Sequence, residues 1–306
     1  MLNIDDIHRI SLTTPAPFST VVTPPYPFPQ LRKLILSHKV EPSGDFIISP
    51  PPNLTHLCLS GRWLSAHLWS SLIRECTSLQ HGLFAIHKIH LLHSPGPVTT
   101  LKDLISLKII LYTDGHPSFL DNLYFPSLKS FSIGYGMVTL GPWHPQYLAP
   151  IRVDKLQSLV LHKLTIPYKD LMSTLKVADS LESLVLDVPF RSSTLFKLMK
   201  IDSQSNSVFL PMVSKFTIHH YPMVGGQFHT FDMYGFMNFV KSRWDLKHSS
   251  IGSSYGRISF VSVRIENKDT RIESLKILLE GMKRQGLRLS IGVSSQGYRV
   301  STEVNW

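Results

Sequence analysis

Two groups of side chains in the sequence are candidates for metal or nucleotide binding. His87, His90 and His93 are spaced three residues apart, a spacing that can place imidazole ligands on one face of a helix. The sequence Pro95-Gly96-Pro97 follows at once, and no cysteine or acidic cluster supplies a fourth ligand. We therefore interpret the three histidines as structural and expect no metal site.

The second group is Gly134-Tyr135-Gly136 with Gly141, which superficially resembles a nucleotide-binding loop. The third glycine of the GxGxxG pattern is missing, and the segment leads to Pro142 instead of a helix, so we interpret it as a turn. The sequence also has no GxxxxGK phosphate loop and no GxSxG nucleophile elbow. We expect no enzymatic activity, no catalytic residues and no cofactor.

Composition indicates a folded chain with a basic charge balance. Of 306 residues, 31 are Lys or Arg and 21 are Asp or Glu, which gives a net charge of +10. The hydrophobic share of 43% is too high for a disordered chain. No apolar run reaches the roughly 18 residues that a membrane-spanning helix needs, so we expect no membrane contact.

The ends and the cysteines indicate the compartment. Asp5 and Asp6 stand where a secretory signal would carry basic residues, so we expect a cytoplasmic or nuclear protein. Cys58 and Cys76 should then stay reduced, and their apolar surroundings predict small core groups.

An apolar triplet spaced i, i+3, i+5 organises the chain, for example Leu54-Leu57-Leu59 and Leu181-Leu184-Leu186. The first members lie at positions 7, 31, 54, 79, 104, 128, 156 and 181, in steps of 23 to 28 residues, followed by degenerate copies at 213 and 258. The copy at Leu79 looks distorted, with Leu83 and Ile86 shifted. A fixed period in this range is typical of leucine-rich repeats, whose short strands must stack to bury their apolar side.

Helical patterns occupy several of the segments between triplets. The spacing of apolar residues predicts helices around Leu64–Cys76, Leu171–Leu175, Leu195–Met199, Phe236–Trp244 and Leu275–Met282. Asp232 is a candidate cap for the fourth helix, and Thr270 with Glu273 fits a capping box for the fifth. Leu287, Leu289 and Ile291 then alternate like a final strand.

The predicted fold is α/β: a right-handed leucine-rich-repeat solenoid with a parallel sheet on its concave side and helices and loops on its convex side. Residues 1–306 are expected to form one domain of about ten irregular repeats. Irregularity is expected because the position eight residues after each first leucine lacks the usual asparagine. Those positions hold Pro15, Lys39, Arg62, Tyr112, Gly136, Leu164, Pro189 and Tyr221.

The repeats resemble the C-terminal half of the large fungal family of F-box proteins with leucine-rich repeats. The resembling stretches are FPQLRKLILSHK, PPNLTHLCLSGRWLSAHLWSSLIRECTSLQ, FPSLKSFSIGY, LQSLVLHKLTIPYKDLMSTL, SLESLVLDV and SLKILLEGMKRQGLRLSIG. The resemblance implies a substrate receptor of a Skp–cullin–F-box ubiquitin ligase. The first triplet begins at Ile7, which leaves no room before it for an F-box, so we expect no docking to a Skp-type adaptor.

Alternation along the predicted strands identifies a candidate partner-binding face on the concave side, at positions i+2, i+4 and i+6 of each triplet. Five of the face residues are basic and one is acidic, which favours an acidic or phosphorylated protein partner. The candidate residues are Arg9, Lys33, His56, Lys108, Ser132, His162, Asp187, Lys215, His219 and Arg264.

Two hypotheses of function follow. The first is a non-catalytic interaction scaffold that binds an unknown protein target on the concave sheet and contains no buried polar cluster resembling an active site. The alternative is a basic solenoid that binds nucleic acid or an acidic or phosphorylated ligand. No nucleic-acid-binding motif is present and the basic residues form no run, so the sequence favours the first.

Overall fold

Short parallel strands recur along the chain where the apolar triplets predict them. The computed structural model describes residues 9–12, 30–36, 51, 53–60, 64–87, 89, 97–115, 117–137, 139–201, 208–221, 223–224, 227–228, 230–248, 255–266 and 271–294. These residues divide between two units. Unit 1 takes the described parts of Met1–Met137 and His144–Arg152, and unit 2 takes those of Val138–Trp143 and Val153–Arg299.

Unit 1 is built on a parallel sheet with the strand order β1-β2-β3-β4-β6-β8. The short pair β5 and β7 lies apart from this sheet, and two 3-10 turns cover Pro117–Leu120 and Pro145–Leu148. The strands and the helix are β1 (Arg9–Leu12), β2 (Lys33–Leu36), β3 (His56–Leu59), α1 (Ala66–Glu75), β4 (His81–Ile86), β5 (Thr99–Thr100), β6 (Ser106–Leu111), β7 (Leu123–Tyr124) and β8 (Ser130–Tyr135).

Unit 2 has a parallel sheet with the order β10-β12-β13-β16-β17 and two small strand pairs, β9 with β11 and β14 with β15. Its 3-10 turns cover Val153–Lys155 and Asp245–His248. The elements are β9 (Gly141–Pro142), β10 (Ser158–His162), β11 (Leu164–Thr165), α2 (Tyr168–Lys176), β12 (Ser183–Asp187), α3 (Ser192–Met199), β13 (Lys215–His220), β14 (Met223–Val224), β15 (Gln227–Phe228), α4 (Met233–Trp244), β16 (Phe260–Glu266), α5 (Arg271–Arg284) and β17 (Arg288–Ser294). Both units therefore confirm the α/β class with parallel strands.

The same turn opens most of the strands. In seven repeats, the N–H of the first triplet residue donates to the carbonyl three residues upstream, as Leu128 does to Phe125 and Val213 to Leu210. Pro126 occupies the second position of such a turn, where its fixed φ fits a β-turn and its missing N–H costs nothing. Pro126 and Pro211 thus each stand at the second position of a turn at a strand entry.

A second hydrogen-bond pattern repeats just after each turn. The carbonyl of Arg32 accepts the N–H groups of both Thr55 and His56, at 2.9 and 3.0 Å. The carbonyl of Thr55 does the same for Gln80 and His81 in the next repeat. This pattern fixes the register between neighbouring repeats before the strands begin.

Triplet side chains form the core. Leu54, Leu57 and Leu59 are fully buried, and so are Leu181, Leu184 and Leu186. Because the strands pair in register, equivalent triplet residues stack against one another along each sheet, as Leu184 does against Phe216. Burial of such stacked side chains is the main source of stability in a repeat fold.

The expectation that the repeat at Leu79 is shifted is wrong. Strand β4 pairs with β3 so that Gly82 lies opposite Leu57 and Phe84 opposite Leu59. A Cβ on Gly82 would lie 2.6 Å from the ring of Phe84, so that ring occupies the space a leucine at position 82 would fill. The register is regular, but a glycine and a phenylalanine replace two leucines.

The five predicted helices are present, with partly different buried faces. Ser65 caps α1 by accepting from the Leu68 N–H at 3.2 Å, and Asp232 caps α4 by accepting from Gly235 at 2.9 Å. Leu68, however, is only half-buried, while Trp69 is fully buried. A strict spacing of four drifts off one helix face, because an α-helix has 3.6 residues per turn. Among the described residues, no helix has the length and hydropathy required to cross a bilayer.

Two arginines on helices bind loop carbonyls. Arg243 of α4 is fully buried and donates to the carbonyls of Met199, Phe209, Leu210, Pro211 and Val213. Arg74 of α1 donates to the carbonyls of Pro97 and Asp121 and to the Thr99 hydroxyl. Because each guanidinium has five N–H donors, one side chain can satisfy several carbonyls that no strand pairs.

Several predictions concern residues outside the described ranges: the first triplet member Ile7, the capping residue Thr270, and His90 and His93.

Candidate functional site

The pairing of strands in unit 1 aligns one row of polar side chains across the sheet. Lys33 pairs with His56, His56 with His81, His81 with Ser106, and Ser106 with Ser130. Each of these residues alternates along its strand with a core residue and is half-buried. We call this row and the next one, two residues further along each strand, the polar face of unit 1. Residues that pair in register share a face, so this face combines contributions from successive repeats.

The second row of the polar face is Cys58, Leu83, Lys108 and Ser132. Cys58 and Leu83 are buried, whereas Lys108 and Ser132 are half-buried. Burial lowers the pKa of Lys108, although the nearby Cys58 opposes this shift. The predicted face residues Lys33, His56, Lys108 and Ser132 thus do lie on one face.

His56 and His81 form a stacked pair in the first row. Their ring centroids are 4.5 Å apart, with 27° between the ring planes. The Thr55 hydroxyl lies 2.9 Å from Nδ1 of His56 and donates to the Arg32 carbonyl at 3.1 Å. Burial, together with the neighbouring His81 and Lys33, lowers the pKa of His56 to about 4. Burial and Lys33 also lower the pKa of His81, so the pair is uncharged at neutral pH.

The two cysteines are not activated thiols. Burial raises the pKa of Cys58 to about 11, against a smaller opposing effect of a hydrogen bond with Ser60. Burial and the nearby Glu75 raise the pKa of Cys76 to about 12. Both are free and buried, which confirms their prediction as core groups. A thiol in this state is a poor nucleophile, because the thiolate is the reactive form.

In unit 2 the first row contains Ser158, Ser183 and Lys215, with Phe260 and Arg288 beyond them. Lys215 and Arg288 are exposed. We call this row the polar face of unit 2.

Three of the predicted face residues in unit 2 form a buried cluster instead of facing solvent. His162 lies opposite Asp187 at the ends of β10 and β12, and His219 is the corresponding residue of β13. Only 8% of His162, 5% of Asp187 and 5% of His219 is exposed, which corrects the expectation that they line a solvent-facing surface. Both histidines contact Asp187 in place of water.

Asp187 is the centre of this cluster. Nδ1 of His162 contacts one carboxylate oxygen, and Nδ1 of His219 lies 2.8 Å from the other. The hydroxyl of Tyr221 donates to the same oxygen as His219, at 2.5 Å, and the Tyr221 ring stacks on that of His219. Burial alone would raise the pKa of Asp187, but the hydrogen bonds from His162, His219 and Tyr221 hold it well below its usual range.

An ionised carboxylate that contacts Nδ1 orients an imidazole as in many catalytic dyads. Here the carboxylate orients two imidazoles from two neighbouring strands, and all three groups are shielded from solvent. The cluster ties the ends of β10, β12 and β13 together. Arg264, the next residue in the same row, pairs with His219 in register and is half-buried.

The remaining predicted residues are placed as follows. Arg9 lies opposite Lys33 in the pairing of β1 with β2, and its side chain is outside the described part of the chain. His87 stacks on Tyr112, with centroids 4.1 Å apart. Gly134 lies within strand β8 and not in a turn, which corrects the interpretation of this residue as part of a turn. Within the described ranges, no group of three or more His, Cys, Asp or Glu side chains is placed to hold a metal ion.

Two residues of these clusters are not among the predicted face residues. His81 is not predicted because the repeat at Leu79 is interpreted as shifted. Tyr221 is predicted only to be unable to form an asparagine ladder. Equal spacing from the first triplet residues would have placed His81 beside His56.

Comparison with protein-family models gives no match to this chain. A search of curated proteins also finds no match.

Proposed function

We propose that the chain is a non-catalytic protein-interaction module, built as a leucine-rich-repeat solenoid, that binds a partner protein on the polar face of its sheet. The observation that carries this proposal is the alignment of polar-face residues in unit 1 from Lys33 to Ser130. Parallel strands in register present side chains from several repeats to one ligand. Repeat proteins commonly use such extended surfaces for binding.

The solenoid part of the proposal is supported by the repeated strand entry. A turn that ends at the first triplet residue and a carbonyl that accepts two N–H groups recur from repeat to repeat. Each repeat therefore contacts its neighbours through the same backbone bonds, as expected of a quasi-one-dimensional stack.

Charge supports an acidic partner. Among the described side chains, the formally charged ones in the two rows of the polar face of unit 1 and in the polar face of unit 2 are Lys33, Lys108, Lys215 and Arg288, all basic. The acidic Asp187 is engaged within the buried cluster. A basic surface attracts acidic partners and repels basic ones.

The resemblance to F-box receptors suggests what such binding would serve. We propose that the bound partner is a ubiquitination substrate and that this chain provides the substrate-binding half of a receptor.

The test is a matched set of Ser→Glu variants. Ser106→Glu and Ser132→Glu add an acidic side chain to the polar face, whereas Ser193→Glu adds the same side chain to an exposed site on α3. Partners are first captured with the wild-type chain, identified by mass spectrometry, and then purified for affinity measurement by calorimetry.

Either polar-face variant should weaken the binding of an acidic partner by about tenfold, or about 1.4 kcal/mol, because like charges repel. The helix variant should leave the affinity unchanged. A partner that tolerates both polar-face changes and is lost with Ser193→Glu would overturn the proposal, because its binding site would lie on the helices.

A further inference from the structure

We infer that Lys33, His56 and His81 form a binding site for a dianionic phosphate group on a partner protein, and that binding takes up a proton. The inference deepens the proposed function and rests on it, because it assigns a ligand chemistry to one part of the polar face of unit 1.

The three residues lie side by side on neighbouring strands of the sheet. Each is the first residue of its strand, in β2, β3 and β4, and the pairing places Lys33 beside His56 and His56 beside His81. The two rings are stacked at 4.5 Å and are half-buried, so one small anion can contact both imidazoles.

Hydrogen bonding engages one nitrogen of His56. Its Nδ1 lies 2.9 Å from the Thr55 hydroxyl, which also lies 3.1 Å from the Arg32 carbonyl. An anion beside the uncharged ring favours its protonated form, and this couples binding to proton uptake.

The charged neighbours of His56 are basic on both sides. Lys33 faces it from β2 and His81 faces it from β4, and both oppose its protonation. The next row beside these residues is Ile35, Cys58 and Leu83, of which Cys58 and Leu83 are buried. An apolar floor weakens solvent screening and strengthens the interaction with an anion.

The number of basic groups favours a dianion. Three groups that can each carry a positive charge repel one another when all are charged, and a single carboxylate offsets only part of this. A phosphate monoester carries about −1.5 to −2 charges at neutral pH and offers three acceptor oxygens. It can therefore contact the ammonium of Lys33, the protonated ring of His56 and the ring of His81 together.

The first probe is sulfate, which keeps both charges throughout the assay, so any pH dependence of binding comes from the protein. We expect sulfate affinity for the full chain to rise about three- to tenfold between about pH 7 and pH 5, since bound anion raises the pKa of His56. NMR titration of the imidazole carbons should show this rise directly. Sulfate affinity that does not change with pH would overturn the inference.

Matched variants distinguish a specific site from a general attraction of sulfate to positive charge. His56→Gln should abolish most of the pH dependence while preserving the fold, which circular dichroism checks. Lys33→Met should weaken sulfate several-fold, whereas Lys215→Met, at the equivalent first position of β13, should have no effect. Equal losses from the two lysine variants would mean that only net charge matters and would contradict the site.

Peptides then identify the source of the phosphate. A phosphoserine peptide should displace sulfate, and its unphosphorylated form should not; displacement by an RNA or DNA oligonucleotide but not by the phosphopeptide would overturn the assignment to a protein partner. Failure of this inference is distinct from failure of the proposed function. Partner binding that is lost in Ser132→Glu but shows no proton uptake would leave the interaction module standing without the phosphate site.

Discussion

Each unit contains a pair of histidines on its sheet, and the two pairs lie in opposite electrostatic settings. In unit 1, His56 and His81 stack on each other beside Lys33 and stay half-exposed. In unit 2, His162 and His219 are separated by the strand that carries Asp187 and are buried around its carboxylate. One acidic residue between two histidines thus turns a repulsive surface pair into a closed, bonded cluster. The open pair is suited to bind a ligand, and the closed cluster is suited to hold strands together.

Removing the central charge should have the largest effect on stability. Asp187→Asn replaces a carboxylate that accepts from the Tyr221 hydroxyl and contacts Nδ1 of His162 and of His219 by an uncharged amide. We expect the free energy of unfolding to fall by about 3 kcal/mol, as for other buried pairs that lose one partner. Urea denaturation at neutral pH measures this change. Glu182→Gln, an exposed carboxylate at the entry of β12, is the control and should change stability by less than about 0.5 kcal/mol. A similar small change for Asp187→Asn would show that the cluster does not hold the strands.

Tyr221→Phe should have the next largest effect. It removes one hydrogen bond to an ionised acceptor but keeps the ring that stacks on His219. The expected loss is about 1.5 kcal/mol, again by urea denaturation. Tyr168→Phe, at an exposed tyrosine of α2, should be neutral. If both variants behave alike, the Tyr221 hydroxyl has no role in holding Asp187.

His56 and Asp187 should contribute to stability in different pH windows. The pKa of His56 falls from near 6.5 to about 4 on folding, so the unfolded chain takes up the proton first and stability declines as the pH drops through that interval. The pKa of Asp187 is also lowered on folding, so its contribution is present above about pH 4 and is lost only below it. His56→Gln should therefore flatten the stability curve between about pH 6.5 and 4, measured by thermal denaturation. Part of the pH dependence of stability should remain in His56→Gln, because the pKa of His81 is lowered as well. A slope that does not change at all would mean that His56 is not the group that titrates in this interval.

The smallest stability effect is expected for Lys33→Met. The substitution removes repulsion from the pair, so the free energy of unfolding should change by less than about 0.5 kcal/mol. The pKa of His56 should rise, which NMR titration of its imidazole can follow. A pKa that stays near 4 would mean that burial and His81 alone hold the ring uncharged.

Much of the architecture follows from the sequence, because the triplets mark where each strand begins and which residues it buries. The spacing predicted the strands from Leu31 onwards and the parity of their faces. It failed at Leu79, where a glycine and a phenylalanine share a volume that two leucines fill elsewhere. A pattern of residue types cannot show that the ring of one residue occupies the space that a neighbouring side chain leaves empty.

The site was predictable as a face but not as a set of contacts. Alternation placed His162, Asp187 and His219 on one side of the sheet, and the structure confirms that they align. Their mutual hydrogen bonds and burial depend on three residues from three repeats, each 25 or more positions apart in the chain. The bonding of Arg243 to five carbonyls could not be predicted either, because its partners are backbone groups and no acidic residue in the sequence indicates them.

The carbonyl that accepts two N–H groups at a strand entry has a consequence for how this chain can change over time. Because these bonds set the register locally, as those from Ser259 and Phe260 to the Ser214 carbonyl do before β16, the segment that connects one strand to the next is free to vary in length. The step from Val213 to Ile258 is 45 residues, almost twice the step from Leu31 to Leu54, yet β13 and β16 still pair in register. Segments can therefore be inserted or exchanged between strands without realigning the sheet, which leaves such a protein room to acquire new surface loops while its core stays the same.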